Sequence, residues 1–347
     1  MSDSVAPITD SSVANYALSS EAVTDSSHAS TVAVKNSSLM LAEESLLSRF
    51  PPPLKGMDEI IFISEHEHVA LGVACVRARA CGAIAVDLEG VNLSRNGSVC
   101  IVQIAVARRG APIFLFDISA LGDAAFAGPE SLRGLLEDSA LAKLFFDCRA
   151  DANALFYLHD VATCNIIDLQ LADVAHRLVK GVHCDHVSGL GYLVERTPHA
   201  RLQPDEALAL AVCKAAARGL FVPELGGSYD VWRERPLPAV LREYCTDAAL
   251  FFTLRESFDE SLAPFGAGAT AAVAEATLRR LAFAHSDDYD KSNRSVLTMV
   301  DPELVDSLRR ALGGVLPRER AAFRRGGRGG RGGSPGSGAW ASPSPET

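Results

Sequence analysis

Aromatic residues are scarce, at 7% of the 347-residue chain, and the eight cysteines include no Cys-x-x-Cys pair. The cysteines stand at 75, 81, 100, 148, 164, 184, 213 and 245, mostly inside apolar runs such as Val99 to Ala107. That scatter argues against a zinc cage and a disulfide framework, and reads as reduced, buried thiols. No apolar run reaches the ~18 residues of a membrane span, and the N-terminus opens with Ser and Asp rather than a basic stretch followed by an apolar one. The expectation is an intracellular protein of cytoplasm or nucleus, neither membrane-bound nor secreted. Basic residues are also in the minority, 33 Lys and Arg against 43 Asp and Glu, for a formal net charge of -10. A surface that is basic all round is excluded, so any contact with nucleic acid is local.

The rest of the composition is that of a globular protein: 48% hydrophobic and 22% charged, enough to bury a core in one or two domains. Residues 1–50 are rich in Ser, Thr, Ala and Val with little periodicity, and read as a disordered leader. Pro51, Pro52 and Pro53 mark its end. A first domain is expected over 55–262. Val69 to Ala80 is spaced as a helix and stopped by Cys81-Gly82. Ala83 to Leu88, Val99 to Ala107 and Pro112 to Phe116 read as strands, parted by Asn96-Gly97 and Arg108-Arg109-Gly110. Gaps of that size suit antiparallel neighbours, because a parallel return needs a crossover of a dozen residues or more.

A helix through Leu132, Leu135 and Leu136, a strand from Ala142 to Phe146, a helix from Asp151 to Leu158 and a strand from Asn165 to Asp168 follow. The fold class is α/β, a mixed sheet flanked by helices, without the plain β-α-β alternation of a dinucleotide fold. From Leu169 to about Glu260 the pattern is mostly helical, broken at Gly189 to Gly191, Pro198 and Pro223 to Ser228. A helical extension occupies 268–316, with a polar break at His285 to Asn293, and residues 317–347 read as a disordered tail.

Asp87 and Glu89 lie two apart at the end of the first of these strands, so strand alternation puts both carboxylates on one face. Acids leaving a buried strand are costly unless a positive charge compensates them; a divalent metal is one solution and a solvated strand end the other. His183-Cys184-Asp185-His186 has no second pair at structural-zinc spacing and reads as a polar loop. Asp147 reads as a hydrogen-bonding group at a strand end. Arg149 stays open between contact with a phosphate and pairing with a nearby carboxylate.

Four ordered motifs carry a family resemblance. Val86-Asp87-Leu88-Glu89-Gly90-Val91-Asn92-Leu93, with Cys100-Ile101-Val102-Gln103-Ile104-Ala105 on the next strand, resembles the first motif of the DEDD 3'-5' exonucleases. Lys143 to Asp151 is similar to the second, and Ile167-Asp168-Leu169-Gln170 to the Asp-Thr-Gln element of ribonuclease D. Trp232-Arg233-Glu234-Arg235-Pro236-Leu237 with Tyr244 and Asp247 resembles the third motif of the tyrosine-bearing subgroup. The resemblance covers about 60 to 260. It implies a ribonuclease H-like fold in which Asp87, Glu89, Asp151 and Asp247 hold two Mg²⁺ or Mn²⁺ ions and Tyr244 orients the attacking water.

The third motif departs from the family pattern. Two residues separate Tyr244 from Asp247 where the family has three, and Glu243 stands at the expected tyrosine spacing. If both residues shared one helix, the change from i+4 to i+3 would turn the pair by ~100° and still leave it roughly on one face. Two functions therefore stay open: a metal-dependent exonuclease acting on RNA or single-stranded DNA, and an exonuclease-like adaptor that binds RNA without cutting it, as in the Egalitarian-type branch. The tail adds a basic element. Arg318, Arg320, Arg324, Arg325, Arg328 and Arg331 stand against Glu319 and Glu346, and Arg324, Arg325, Arg328 and Arg331 alternate with glycine pairs as candidate RNA contacts. A solubilising tail is the other reading.

Overall fold

The computed structural model describes residues 59–106, 111–182, 184–197 and 204–314; the expectations for the leader, Pro51 to Pro53, His183, Pro198 and the Arg-Gly-Gly tail with Arg324, Arg325, Arg328 and Arg331 lie outside them. Six strands form one mixed sheet in the order β1-β4-β3-β2-β5-β6: β1 Ile60–Ile63, β2 Ala83–Val91, β3 Ser98–Ala105, β4 Ile113–Asp117, β5 Ala142–Phe145 and β6 Ile166–Asp168. The strands β2, β3 and β4 are antiparallel neighbours, as their short connections require. β1 joins β4, and β5 joins β2 and β6, in parallel. β1 is an addition to the sequence expectation: Ile60-Ile61-Phe62-Ile63 is short, and its partner is a strand far downstream.

Strand alternation sorts the side chains into two layers. Ile84, Val86 and Leu88 of β2, with Val102 and Ile104 of β3 and Phe114 and Phe116 of β4, face the helices His66–Arg79 and Leu132–Leu136. Ala85, Ala105, Ile113, Leu115 and Leu144 point the other way, into a layer built by the helices Leu169–Val179, Ala248–Leu262, Ala267–Ala284 and Pro302–Ala311. Each large apolar side chain fully buried in these layers stabilises the fold by ~1.5 to 3 kcal/mol.

The helices beyond residue 266 pack into that second layer through Ala269, Ala272, Val273, Ala276, Leu304 and Leu308. Asn153, on the helix Arg149–His159, ties them to the connection between β2 and β3, since its Nδ2 donates to the Ala284 carbonyl at 2.7 Å while its Oδ1 accepts the Arg95 amide at 2.6 Å. No helix among the described residues is long and apolar enough to cross a membrane.

Candidate functional site

Asp87 and Glu89 continue the Ala85 face of β2, so the strand that buries Ile84, Val86 and Leu88 on one side presents both acids to the other layer. Gln103 stands directly opposite Asp87 on β3, and its Nε2 donates to Asp87 Oδ2 at 2.6 Å. The pairing register slips between Glu89 and Gly90, so β3 carries an extra residue there. Cys100 and Ile101 accordingly both fall in the second layer, as a bulge makes adjacent side chains do. Gly90 is required at this point, because a Cβ on it would collide with the Ser98 carbonyl oxygen.

Asp151 lies in the first turn of the helix Arg149–His159 and is 5% exposed. The turn that delivers it is built on Asp168. This buried carboxylate caps the helix Leu169–Val179 by accepting the Gln170 amide at 3.0 Å. It also accepts the amides of Asp147 and Cys148, each at 3.1 Å, and pairs with Arg280 at 2.9 Å. Burial pushes Asp168 up, but the Arg280 guanidinium and those amides outweigh it and hold the carboxyl below the usual range. Asp147 adopts a left-handed φ of 58°. Its carboxylate is gripped by Arg149 through two bonds of 2.6 Å, and Arg149 donates a third, of 2.7 Å, to the Leu297 carbonyl. Of the two alternatives for Arg149, this geometry takes pairing with a carboxylate, and the guanidinium is buried at it.

Tyr244 and Asp247 do not share a helix, which corrects the premise drawn from their spacing. Tyr244 ends the helix Ala239–Tyr244, and Asp247 is the N-cap residue of Ala248–Leu262. Between them Cys245, at φ -76° and ψ 58°, centres an inverse γ-turn in which the Thr246 amide donates to the Tyr244 carbonyl at 2.8 Å. A continuous helix would give that carbonyl the Ala248 amide; here Ala248 donates instead to Gln103 Oε1 at 3.3 Å. Gln103 thus serves Asp87 with its nitrogen and the Asp247 helix with its oxygen. The Tyr244 ring packs edge-on against Phe221 and Trp232. Arg235 of the same motif forks onto the buried Asp117 at the end of β4.

Lys214, on the helix Pro204–Phe221, completes this half. Its Nζ donates to Asp247 Oδ2 at 2.6 Å and to the Tyr244 carbonyl at 3.0 Å, and lies 3.7 Å from the centre of the Tyr244 ring. Glu243 points elsewhere: its Oε2 is buried without a hydrogen-bond partner, and burial raises its carboxyl.

The acids feel one another. Removal from bulk water, reinforced by the charge of Asp247 and opposed by Lys214, pushes Asp87 up to about 7. Burial first, and the charge of Asp87 next, raise Glu89 and Asp151 well above the carboxylate range. Burial and the charges of Glu89, Asp247 and Asp87 raise the Tyr244 phenol. From the polar break after Ala284, Lys291 meets the same cluster: burial lowers it, and Asp151 and Glu89 oppose that. Hard carboxylate oxygens, four acids against the two ammonium groups of Lys214 and Lys291, fit Mg²⁺ or Mn²⁺ in donor type and in sign. They are spread more widely than one ion's shell, however. Among the described residues the only trio with ligand atoms within 4.8 Å of one another is the outlying Glu65, Glu67 and His68.

Sequence reasoning named the acids and Tyr244, and quoted Gln103 without giving it a role. It missed Lys214, Arg280 and Lys291. Lys214 carried a signal, as a charge followed by Ala215, Ala216 and Ala217 on an otherwise apolar helical stretch. Arg280, equally, is a cation inside the Ala-rich run that begins at Ala271. The loop at 184–186 docks instead of gathering ligands: Val300 donates to the Asp185 carbonyl and His186 bridges to Met299.

A family model described as 3'-5' exonuclease matches residues 65–204. Among curated relatives, the chain is 30% identical over 175 residues to the piRNA biogenesis protein EXD1 of Mus musculus, a match covering 49% of this chain and 28% of that protein. It is 24% identical over 184 residues to the same-named protein of Xenopus laevis, covering 52% and 38%. The chain thus matches well under half the length of either. Among solved structures, Trypanosoma brucei RNase D superposes with a TM-score of 0.55 at 23% identity, covering 74% of this chain and 82% of that one. Its complex with RNA U12 gives 0.55 at 22% identity, covering 78% and 88%. These likenesses extend the match in fold past residue 204 to most of the chain.

Proposed function

We propose, from the match of residues 65–204 to a 3'-5' exonuclease family model and the resemblance of the motifs to the DEDD family, that this protein hydrolyses phosphodiester bonds from the 3' end of a single strand, RNA in preference to DNA. The observation that carries the reading is the convergence of Asp87, Glu89 and Asp151, two on one face of a strand and one in the first turn of a buried helix, on a region where the charge of Asp87 reaches both of the others. Asp87, Glu89, Asp151 and Asp247 would hold two Mg²⁺ or Mn²⁺ ions, which supply an activated water and stabilise the leaving 3' oxygen.

The chain's own residues do the positioning. Gln103 holds Asp87 Oδ2 in place from across the strand pair. Phe221 and Trp232 hold the Tyr244 ring, and the raised phenol stays protonated at neutral pH, so its hydroxyl has a proton to donate. RNA as the polymer draws support from the name of the mouse and frog relatives and from the arginines of 318–331. The test is degradation of a 3'-labelled single strand: loss of label with Mg²⁺ or Mn²⁺, arrested by chelator.

The binding-only adaptor has one specific observation in its favour, the Lys214 ammonium seated on Asp247 next to the shortened third motif. Folded protein that binds RNA but releases no label with either metal would establish that second reading in place of the first.

A further inference from the structure

Lys214 brings a cation of the chain's own to the acids. Its helix, Pro204–Phe221, packs on Ala239–Tyr244. Two of the three ammonium protons are committed, one to Asp247 Oδ2 at 2.6 Å and one to the Tyr244 carbonyl at 3.0 Å, while the Tyr244 ring covers a further side at 3.7 Å. The carbonyl is available because the inverse γ-turn at Cys245 gives the Ala248 amide to Gln103. Both side chains of the pair keep about a fifth of their surface, 22% for Lys214 and 20% for Asp247, so the contact is sheltered without being sealed. Asp87 differs in kind: the side chain that bonds it, Gln103, is neutral.

We propose that Lys214 is a resident counter-cation of the site: in the metal-free protein it occupies the Asp247 carboxylate, and it must leave before a divalent ion can use that carboxylate. The inference rests on the exonuclease reading only in taking Asp247 as a metal ligand. No covalent bond changes, since one ion pair is exchanged for another. Binding linkage is reciprocal, so if Lys214 weakens metal binding by some factor, metal must weaken the hold on Lys214 by the same factor. The adaptor-like feature and the catalytic reading are then reconciled, with Lys214 setting the metal concentration at which the site assembles.

The experiment uses the full chain and Mn²⁺ alone, without nucleic acid. Free Mn²⁺ is followed by electron paramagnetic resonance during titration of wild type, Lys214→Met and Asp247→Asn. In parallel, lysines are acetylated with and without Mn²⁺, and modification at Lys214 is read by peptide mass spectrometry. Lys214→Met is expected to bind Mn²⁺ at least about tenfold more tightly, as removal of a close charge partner implies. Acetylation of Lys214 in wild type rises several-fold on adding Mn²⁺, and in Asp247→Asn is already high without it.

Normal Mn²⁺ binding by wild type with no gain in Lys214→Met overturns the proposal and leaves the exonuclease reading standing. Tighter binding with Lys214 acetylation indifferent to Mn²⁺ also overturns it, reducing Lys214 to a distant field. No Mn²⁺ binding by any of the three removes the metal site itself, and the exonuclease reading falls with the proposal. Should Lys214→Met fail to fold, the wild-type acetylation experiment decides alone.

Discussion

Asp87 and Asp247 are charges of the same kind held by opposite means. Asp87 sits on a strand with neighbours on both sides and an amide directly across from it, so its position is inherited from the sheet. Asp247 stands at a break between two helices, where a γ-turn and one lysine decide where its carboxylate points. The difference separates placement by backbone ladder, which a few changed side chains leave intact, from placement by a single ion pair. A site assembled from both has one rigid half and one half that a competing cation can reset.

The sharpest way to break the comparison is to remove charge from the rigid half. Asp87→Asn or Glu89→Gln should cut strand degradation on the order of a thousandfold or more while RNA binding barely moves. Equal turnover in wild type and both variants, measured on a 3'-labelled strand, would place the chemistry elsewhere. Next in size is Arg280→Met, which strands the buried Asp168 and loosens the turn carrying Asp147 and Cys148. A loss of about 3 to 5 kcal/mol is expected in urea unfolding, as for other buried pairs broken on one side. Asp168→Asn in the same chain should recover part of it.

A third test sharpens the comparison through pH. The folded Asp87 carboxyl is raised from 3.8 to about 7, so between those values the native state holds a proton that the unfolded chain releases. The contribution of Asp87 to stability is therefore fully present below the unfolded value and lost as pH rises through about 7. Metal-free Asp87→Asn lacks this penalty and should gain on wild type by up to a few kcal/mol from pH 5 to pH 8 in paired thermal melts. A constant difference across that range would mean that Asp87 is not confined as described.

The smallest effect asks whether anything outside both halves contributes. Truncation after Pro317 removes six arginines and should weaken RNA binding and flatten its salt slope by up to about 4, at roughly 0.7 per neutralised phosphate of a single strand. Turnover at saturating RNA should hold, because no proposed ligand is lost.

Legibility in sequence followed the same division. Asp87 and Glu89 on one face, and the antiparallel trio β2, β3 and β4, could be read because a strand's period and a short connection are local properties. The inverse γ-turn at Cys245 could not, because it depends on groups far away: Lys214 is 33 residues from Asp247, and Gln103 is 145 from Ala248. Arg280 reaches back 112 residues to Asp168, so a helix that looks like an appendage in sequence supplies the counter-charge of the acid that holds the turn of the second motif. β1 escaped for a similar reason, since its four residues acquire strand character only from β4.

Gln103 also links the protonation of Asp87 to the start of a helix. A side-chain amide has a direction: the NH₂ end must face an acceptor and the oxygen a donor. Facing Asp87 with the first and the Ala248 amide with the second, it is satisfied at both ends only while Asp87 Oδ2 carries no proton. A proton arriving on that oxygen would confront the amide nitrogen with another hydrogen, and turning the amide round to accept it would abandon Ala248. Charge on the strand and anchorage of the Ala248–Leu262 helix thereby meet at the two ends of one uncharged group.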